Sequence, residues 1–129
     1  MSTKFLYLSI FISFSYANSI TWIKTYKEAI NLSIKKDKRV MLFITKPSCL
    51  WCKKMKRLTF TDRQVIKEVN ENYISIELSK NSSEIPSNLL VKRVPTTQFI
   101  SKDGILIKKV TGYWNAEDFL SWLSDVKKL

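Results

Sequence analysis

The apolar residues of this chain follow two patterns, one with the period of a helix and one with the continuous or alternating runs of β-strands. A first helix is predicted from Thr21 to about Lys36. Its apolar positions recur at helical spacing: Ile23, Tyr26, Ile30 and Ile34. Thr25 and Glu28 have the spacing of a capping box for this helix, and the lysines at its end suit the negative pole of the helix dipole. The pattern therefore predicts a helix before the first core strand.

Four strands are predicted after that helix. Arg39–Thr45 is a nearly unbroken apolar run, which is typical of a strand buried on both faces. Tyr73–Leu78 alternates between apolar and polar residues. Segments 95–101 and 105–110 flank Asp103-Gly104, a dipeptide typical of a hairpin turn. The last two strands are therefore expected to pair with each other.

Further helices lie between and after these strands. Segment 49–58, "CLWCKKMKRL", follows the first strand directly and is predicted as a helix, and segment 81–93 as a loop with a short helix. Thr61 to Gln64 has a capping-box pattern and opens another helix. Asn115 is the predicted cap of a last helix with these inward residues: Phe119, Trp122, Leu123 and Val126. The order α-β-α-α-β-α-β-β-α predicts an α/β sandwich with a mixed sheet.

Residues 1–17 have the composition of a secretory signal peptide. Lys4 is followed by an apolar run that is too short to span a bilayer comfortably. Ser15 and Ala17 supply small residues at the −3 and −1 positions of a cleavage site. We therefore predict cleavage after Ala17, a single domain over 18–129, and a periplasmic location, where disulfides form. An uncleaved N-terminal anchor is the alternative.

The charge and the missing histidines exclude several functions. The chain has 22 Lys and Arg against 11 Asp and Glu, a formal charge of +11, and no His. Without His, the Ser-His-Asp and Cys-His arrangements of hydrolases are excluded. The positive charge favours polyanions in general, but the cations are scattered and form no aromatic-basic stacking motif. We therefore expect no nucleic-acid partner and interpret most of the charge as an aid to solubility. A basic surface patch that binds anionic lipid headgroups is the alternative.

Both cysteines of the chain, Cys49 and Cys52, lie in "PSCLWCKKM", where a buried strand gives way to a helix. The start of a helix carries a partial positive charge and unpaired N–H groups, which stabilise a thiolate. Cys49 is therefore predicted as an exposed nucleophile. Cys52 lies one turn inside the helix, within reach of the first sulfur, and is predicted as the resolving thiol.

Other roles of the cysteine pair remain open at this point. Structural zinc needs four ligands, whereas this chain offers two Cys and no His, so no metal site is predicted. Copper(I) held between two thiolates would make the protein a non-catalytic binding module. A c-type haem needs Cys-x-x-Cys-His, but residue 53 is Lys, and no cofactor is expected. A purely structural disulfide would close too short a loop to gain much chain entropy.

The sequence resembles the thioredoxin-like family, in particular its secreted bacterial thiol:disulfide oxidoreductases. Three motifs between Trp22 and Val126 carry the resemblance: "MLFITKPSCLWCKKM", "VKRVPTTQFIS" and "DGILIKKVTGY". It implies a thioredoxin-like three-layer sandwich in which Pro95 is cis and lies against the cysteine pair. The backbone of Val94 would then be free to pair with a substrate strand, a mode known as β-augmentation. Trp51 is either a surface platform for substrates or a residue packed partly against the fold.

Two departures from the family pattern affect the expected chemistry. The buried Asp that thioredoxins carry six residues before the first Cys is Phe43 here, and the Trp just before the pair is Ser48. The dipeptide between the cysteines tunes the redox potential in this family. Here it is Leu50-Trp51, which is neither Gly-Pro nor Pro-His. We expect a periplasmic oxidoreductase that reduces protein disulfides, with thiol- or disulfide-bearing protein substrates and a membrane electron-transfer partner. A disulfide-donating oxidase or isomerase is the alternative.

Overall fold

The computed structural model describes residues 2–3, 8–13 and 17–129. The predicted signal peptide includes residues 1, 4–7 and 14–16, which lie outside the described residues. Cleavage after Ala17 therefore stays a prediction, as does the division of the chain at that point.

The described chain contains a five-stranded sheet and four α-helices. The strands are β1 (Trp22–Ile23), β2 (Arg39–Thr45), β3 (Tyr73–Ser79), β4 (Thr96–Ile100) and β5 (Leu106–Thr111). The helices are α1 (Tyr26–Lys36), α2 (Leu50–Lys54), α3 (Arg63–Asn72) and α4 (Ala116–Lys127). α2 continues as a π-helical turn over Met55–Thr59, and a 3-10 turn covers Ser87–Leu89.

The sheet is mixed, as the sequence predicts. Its strand order is β1-β3-β2-β4-β5. β1 and β2 both run parallel to β3, whereas β4 is antiparallel to β2 and to β5. The start of β4 therefore lies beside the ends of β2 and β5, where Ile44 pairs with Thr96 and Thr96 with Thr111. We call the segments that meet there, 46–54, 91–95 and 112–115, the cysteine end of the molecule.

Alternation along β2 builds the core on both faces of the sheet. Met41 and Phe43 belong to an aromatic-rich cluster with residues of α3 and α4. Val40, Leu42 and Ile44 belong to an aliphatic cluster on the other face, with Ala29 of α1 (this second face also packs against the chain leading into β4). Because both faces are covered, β2 needs apolar residues at nearly every position, which is the pattern seen in the sequence.

The first helix is shorter than the sequence pattern predicts. Trp22 and Ile23 form β1, in register with residues 75 and 76 of β3, and α1 begins only at Tyr26. Thr25 is the cap, and its side chain accepts a hydrogen bond from the Glu28 N–H at 3.1 Å. The helical spacing of apolar residues extends to positions before Thr25 because Trp22 and Ile23 are also half-buried. Their backbone, however, pairs with β3 and forms a strand.

The cap of α3 also differs from the prediction. Asp62, not Thr61, is the cap residue, and its carboxylate accepts hydrogen bonds from the N–H groups of Gln64 and Val65, each at 3.0 Å. A carboxylate is favoured at this place because the helix start carries positive partial charge. The Thr61 hydroxyl instead donates to the Arg57 carbonyl at 2.5 Å, at the end of the preceding helix.

Candidate active site

The cysteine pair lies at the turn that joins β2 to α2. Ser48 has a φ of 61°, a left-handed conformation that is uncommon for residues other than Gly and turns the chain sharply after the strand. Cys49 is the N-cap of α2, and its sulfur accepts a hydrogen bond from the Cys52 N–H at 3.2 Å. The first sulfur is therefore held at the helix start, against one of the N–H groups that have no partner within the helix.

Cys49 and Cys52 form a disulfide, with sulfurs 2.15 Å and Cα atoms 5.3 Å apart. Only 6% of Cys49 and 3% of Cys52 is exposed. The prediction of an exposed Cys49 is therefore wrong for this oxidised form. The Cys49 sulfur is bonded to Cys52 one turn into the helix, and the residue as a whole is buried.

The side chains between the two cysteines face outward. Leu50 is 78% exposed and Trp51 is 55% exposed. The Trp51 ring lies 5.5 Å from the Tyr113 ring, and the Lys54 ammonium is 4.8 Å from the first ring and 5.0 Å from the second. A cation at these distances is attracted to both rings. Trp51 therefore packs partly against the fold, with the rest of the side chain open to solvent, and its role as a platform for substrates stays a prediction.

The loop before β4 completes the cysteine end. The Val94–Pro95 peptide bond is cis, Pro95 is buried, and Val94 is half-buried. The Pro95 carbonyl accepts a hydrogen bond from the Gly112 N–H at 2.8 Å, which ties this loop to the end of β5. Within the described residues, the backbone N–H and C=O of Val94 have no hydrogen-bond partner. A free backbone at this position is what an added peptide strand requires.

The position of the family's buried Asp is fully apolar here. Phe43 is completely buried, with its ring 4.8 Å from Phe60 and 6.3 Å from Trp22. Its neighbour in register on β3 is Glu77, whose two carboxylate oxygens lie 2.6 and 3.0 Å from the Lys56 ammonium. Lys56 lies four residues beyond Cys52, so this ion pair connects β3 to the helix that carries the cysteines.

Sequence reasoning missed both the Lys56–Glu77 pair and the contact of Tyr113 with Trp51. A charged residue within the alternating strand Tyr73–Leu78 was the available signal for the first. No local signal pointed to the second, because Tyr113 reaches the cysteine end only through the pairing of β4 with β5.

Two further properties concern the part of the chain that the structure describes. In residues 2–3, 8–13 and 17–129, no three His, Cys, Asp or Glu side chains gather into a group that could hold a metal ion. No helix in these same ranges is both long and apolar enough to cross a membrane.

A thioredoxin-like domain matches residues 26–127, which is most of the chain. The chain therefore belongs to the thioredoxin-like family of protein-disulfide oxidoreductases with a Cys49-x-x-Cys52 pair. This result confirms the family and the mixed α/β fold predicted from the sequence.

Several relatives carry the name thiol:disulfide interchange protein DsbD. The protein from Actinobacillus pleuropneumoniae is 30% identical over 101 residues, which cover 74% of this chain but 17% of the relative. The protein from Yersinia enterocolitica is 31% identical over 103 residues, covering 75% of this chain and 18% of the relative. The chain thus spans less than a fifth of the length of these relatives.

Solved structures support the same fold. The C-terminal domain of Neisseria meningitidis DsbD in its oxidised form has a TM-score of 0.63 at 24% identity and covers 77% of this chain and 90% of that domain. A thioredoxin from Thermus thermophilus has a TM-score of 0.73 at 23% identity and covers 84% of this chain and 88% of that protein. Identities this low show the fold alone.

Proposed function

We propose that this protein is a thiol:disulfide oxidoreductase that exchanges disulfides with protein substrates through Cys49 and Cys52. The observation that carries the proposal is the place of Cys49 at the cap of α2, with its sulfur accepting the Cys52 N–H. A thiolate formed there is stabilised by the helix start and is therefore available for attack at neutral pH. The relatives named as interchange proteins support this reading.

In the reducing direction, the reaction has two steps. The Cys49 thiolate attacks one sulfur of a substrate disulfide, which forms a mixed disulfide and releases the other substrate sulfur as a thiolate. The Cys52 thiolate then attacks the Cys49 sulfur, closes the Cys49–Cys52 disulfide and releases the second substrate thiolate. Two electrons pass to the substrate, and the oxidised pair has the connectivity found here. Read backwards, the same steps donate a disulfide.

Three residues around the pair are proposed to bind the substrate. The backbone of Val94, which has no partner in the described chain, takes an extended segment next to the cysteines, and Pro95 fixes the loop that presents it. Trp51 offers the exposed part of its ring as a contact surface. In this arrangement, hydrogen bonds to the substrate backbone supply the affinity.

We also propose that the protein works in the periplasm, in the reducing direction, and receives electrons from a membrane partner. The signal-peptide pattern of residues 1–17 supports export. The compact thioredoxin-like fold supports reduction, because the connection from β3 to β4 in the described chain is a loop with one short 3-10 turn and contains no inserted helical domain.

Trapping of the mixed disulfide tests the mechanism. The reduced Cys52→Ser variant is mixed with a disulfide-bonded peptide and analysed by mass spectrometry without reductant. The expected result is a covalent adduct on Cys49, since the serine cannot resolve it. The matched Cys49→Ser variant should form no comparable adduct. Equal adducts on both variants, or none on either, would refute the assigned roles.

A further inference from the structure

The cysteine end concentrates positive charge. Its three segments contain five cations and no carboxylate: Lys46, Lys53, Lys54, Lys92 and Arg93. The segments lie together because β4 pairs with both β2 and β5. Lys46, Lys53 and Lys54 flank the cysteines in the sequence, whereas Lys92 and Arg93 join them only through the fold.

Most of these cations are free to meet a partner. Lys46, Lys53, Lys92 and Arg93 are exposed, and in the described chain their side chains form no ion pair or hydrogen bond. Lys54 differs, because its ammonium lies over the rings of the aromatic pair described above.

Within the described residues, the carboxylates in adjacent segments form no ion pair with the cations of the cysteine end. Glu84 follows β3 and accepts a hydrogen bond from the Tyr26 N–H at 3.0 Å. Glu117 and Asp118 stand in the first turn of α4, where they complement the positive start of that helix. The charge of the cysteine end is therefore not balanced by ion pairs of its own.

From this arrangement we infer that the cysteine end selects an extended protein segment whose reacting cysteine is flanked by Asp and Glu. The inference rests on the proposed exchange function and names its substrate class. A segment lying along Val94 would run beside Lys92 and Arg93, which adjoin that residue, and would approach Lys46 and Lys53 near the disulfide. Opposite charges across such a face mainly raise the rate of productive encounter, and salt suppresses that gain.

Three peptides of one length test the inference. Each carries a single cysteine in a mixed disulfide with 2-mercaptoethanol, flanked on both sides by two Asp, two Asn or two Lys residues. The reduced protein is mixed with each peptide, the reaction is quenched with acid, and oxidation of the pair is followed by mass. Each rate is divided by the rate at which free 2-mercaptoethanol attacks the same peptide, because flanking charge also alters the peptide's own reactivity.

At low ionic strength, the Asp peptide is expected to react about tenfold or more faster than the Lys peptide. The two rates should converge near 1 M salt, where the Debye length falls to about 3 Å. The variant Lys53→Glu/Lys92→Glu should lose or invert the preference. A matched variant with the same charge change, Lys67→Glu/Lys128→Glu, should keep it, because both exposed lysines lie outside the cysteine end.

The outcomes separate this inference from the function on which it rests. Equal normalised rates for the three peptides would overturn the inference and leave exchange intact, whereas no reaction with any peptide would overturn both. Equal loss of preference in the two charge variants would reduce the effect to net charge and also overturn it. Equal peptide rates would also overturn the inference if the protein bound phosphatidylserine vesicles and only the Lys53→Glu/Lys92→Glu variant lost that binding. The charged face would then bind a lipid surface.

Discussion

The two ends of the sheet use their charged residues in opposite ways. At the far end, which comprises segments 37–39, 101–105 and 126–129, charged groups hold the fold together. Arg39 donates to the carbonyls of Val126 and Leu129 at 2.9 and 2.8 Å, and Lys102 pairs with Asp37 at 2.9 Å. At the cysteine end, none of the five cationic side chains forms a hydrogen bond or ion pair within the described residues, and Lys54 alone lies over aromatic rings.

This difference separates stability from function within one small domain. The far end fixes the last helix onto the first core strand, so it is expected to contribute to the free energy of unfolding. The cysteine end keeps its cations, its exposed aromatic ring and the Val94 backbone available for a partner. Binding regions are commonly drawn from the less stabilised parts of a fold, and substitutions at the two ends should therefore have separable effects.

The largest effect on stability is expected from the core that supports both ends. Phe43→Ala removes a fully buried ring from the aromatic cluster and should lower the free energy of unfolding by about 3–5 kcal/mol. Urea unfolding of the oxidised protein measures this. Ile34→Ala, at an exposed position of α1, is the control and should change stability by less than about 0.5 kcal/mol. Similar losses in both variants would contradict the assigned core.

A paired substitution of two arginines compares the ends directly. Arg39→Ala removes two charge-assisted hydrogen bonds to the end of α4 and should cost roughly 2 kcal/mol, with little change in the rate of disulfide exchange. Arg93→Ala should leave stability within about 0.5 kcal/mol and slow exchange with the Asp-flanked peptide. Chemical unfolding and the exchange assay, run on both variants, measure the two effects. If Arg93→Ala lowered stability and Arg39→Ala slowed exchange instead, the distinction between the two ends would be wrong.

The smallest effect is expected from the exposed ion pair of the far end. The hydrogen bond from Lys102, and then its charge, lowers the pKa of Asp37 from the ordinary value of 3.8. A lowered carboxyl pKa stabilises the fold above the unfolded-state pKa, and this stabilisation disappears as pH falls through the folded-state pKa. Asp37→Asn should therefore lower Tm by at most about 2 °C at neutral pH and not at all in strong acid.

Asn is the suitable replacement because residue 37 has a φ of 52°, which Asn tolerates well. Thermal melts of both proteins from neutral to acidic pH measure the difference. A difference in Tm between the two proteins that grew as the pH fell would contradict a stabilising role of the Lys102–Asp37 ion pair.

Local patterns predicted much of this fold because each was reinforced by its environment. The apolar run of β2 reflects burial on both faces, and Asn115 caps α4 as expected, with its side chain accepting from the Asp118 N–H at 2.9 Å. β1 escaped prediction because Trp22 and Ile23 continue the helical spacing of α1, and only the exposed edge of β3 turns them into a strand.

The candidate site was predictable only as far as it is local in sequence. The spacing of Cys49 and Cys52 at a strand-to-helix junction pointed to redox chemistry. Lys56 and Glu77, by contrast, meet across a helix and a strand, 21 residues apart. The charged residue within the alternating strand indicates that Glu77 needs a partner, but the sequence does not say which one. The approach of Lys92 and Arg93 to the disulfide has the same origin, since it depends on the pairing of β4 with β2.

The reduction equilibrium of the cysteine pair tests the proposed function most directly. The purified protein is equilibrated in buffers of varying reduced and oxidised glutathione, and its free thiols are counted by the mass shift on alkylation. We predict one reversible two-electron transition, with a potential near the thioredoxin value of about −270 mV if the protein is a reductase. A pair that stays oxidised or reduced across all buffers, or that changes irreversibly, would contradict the account.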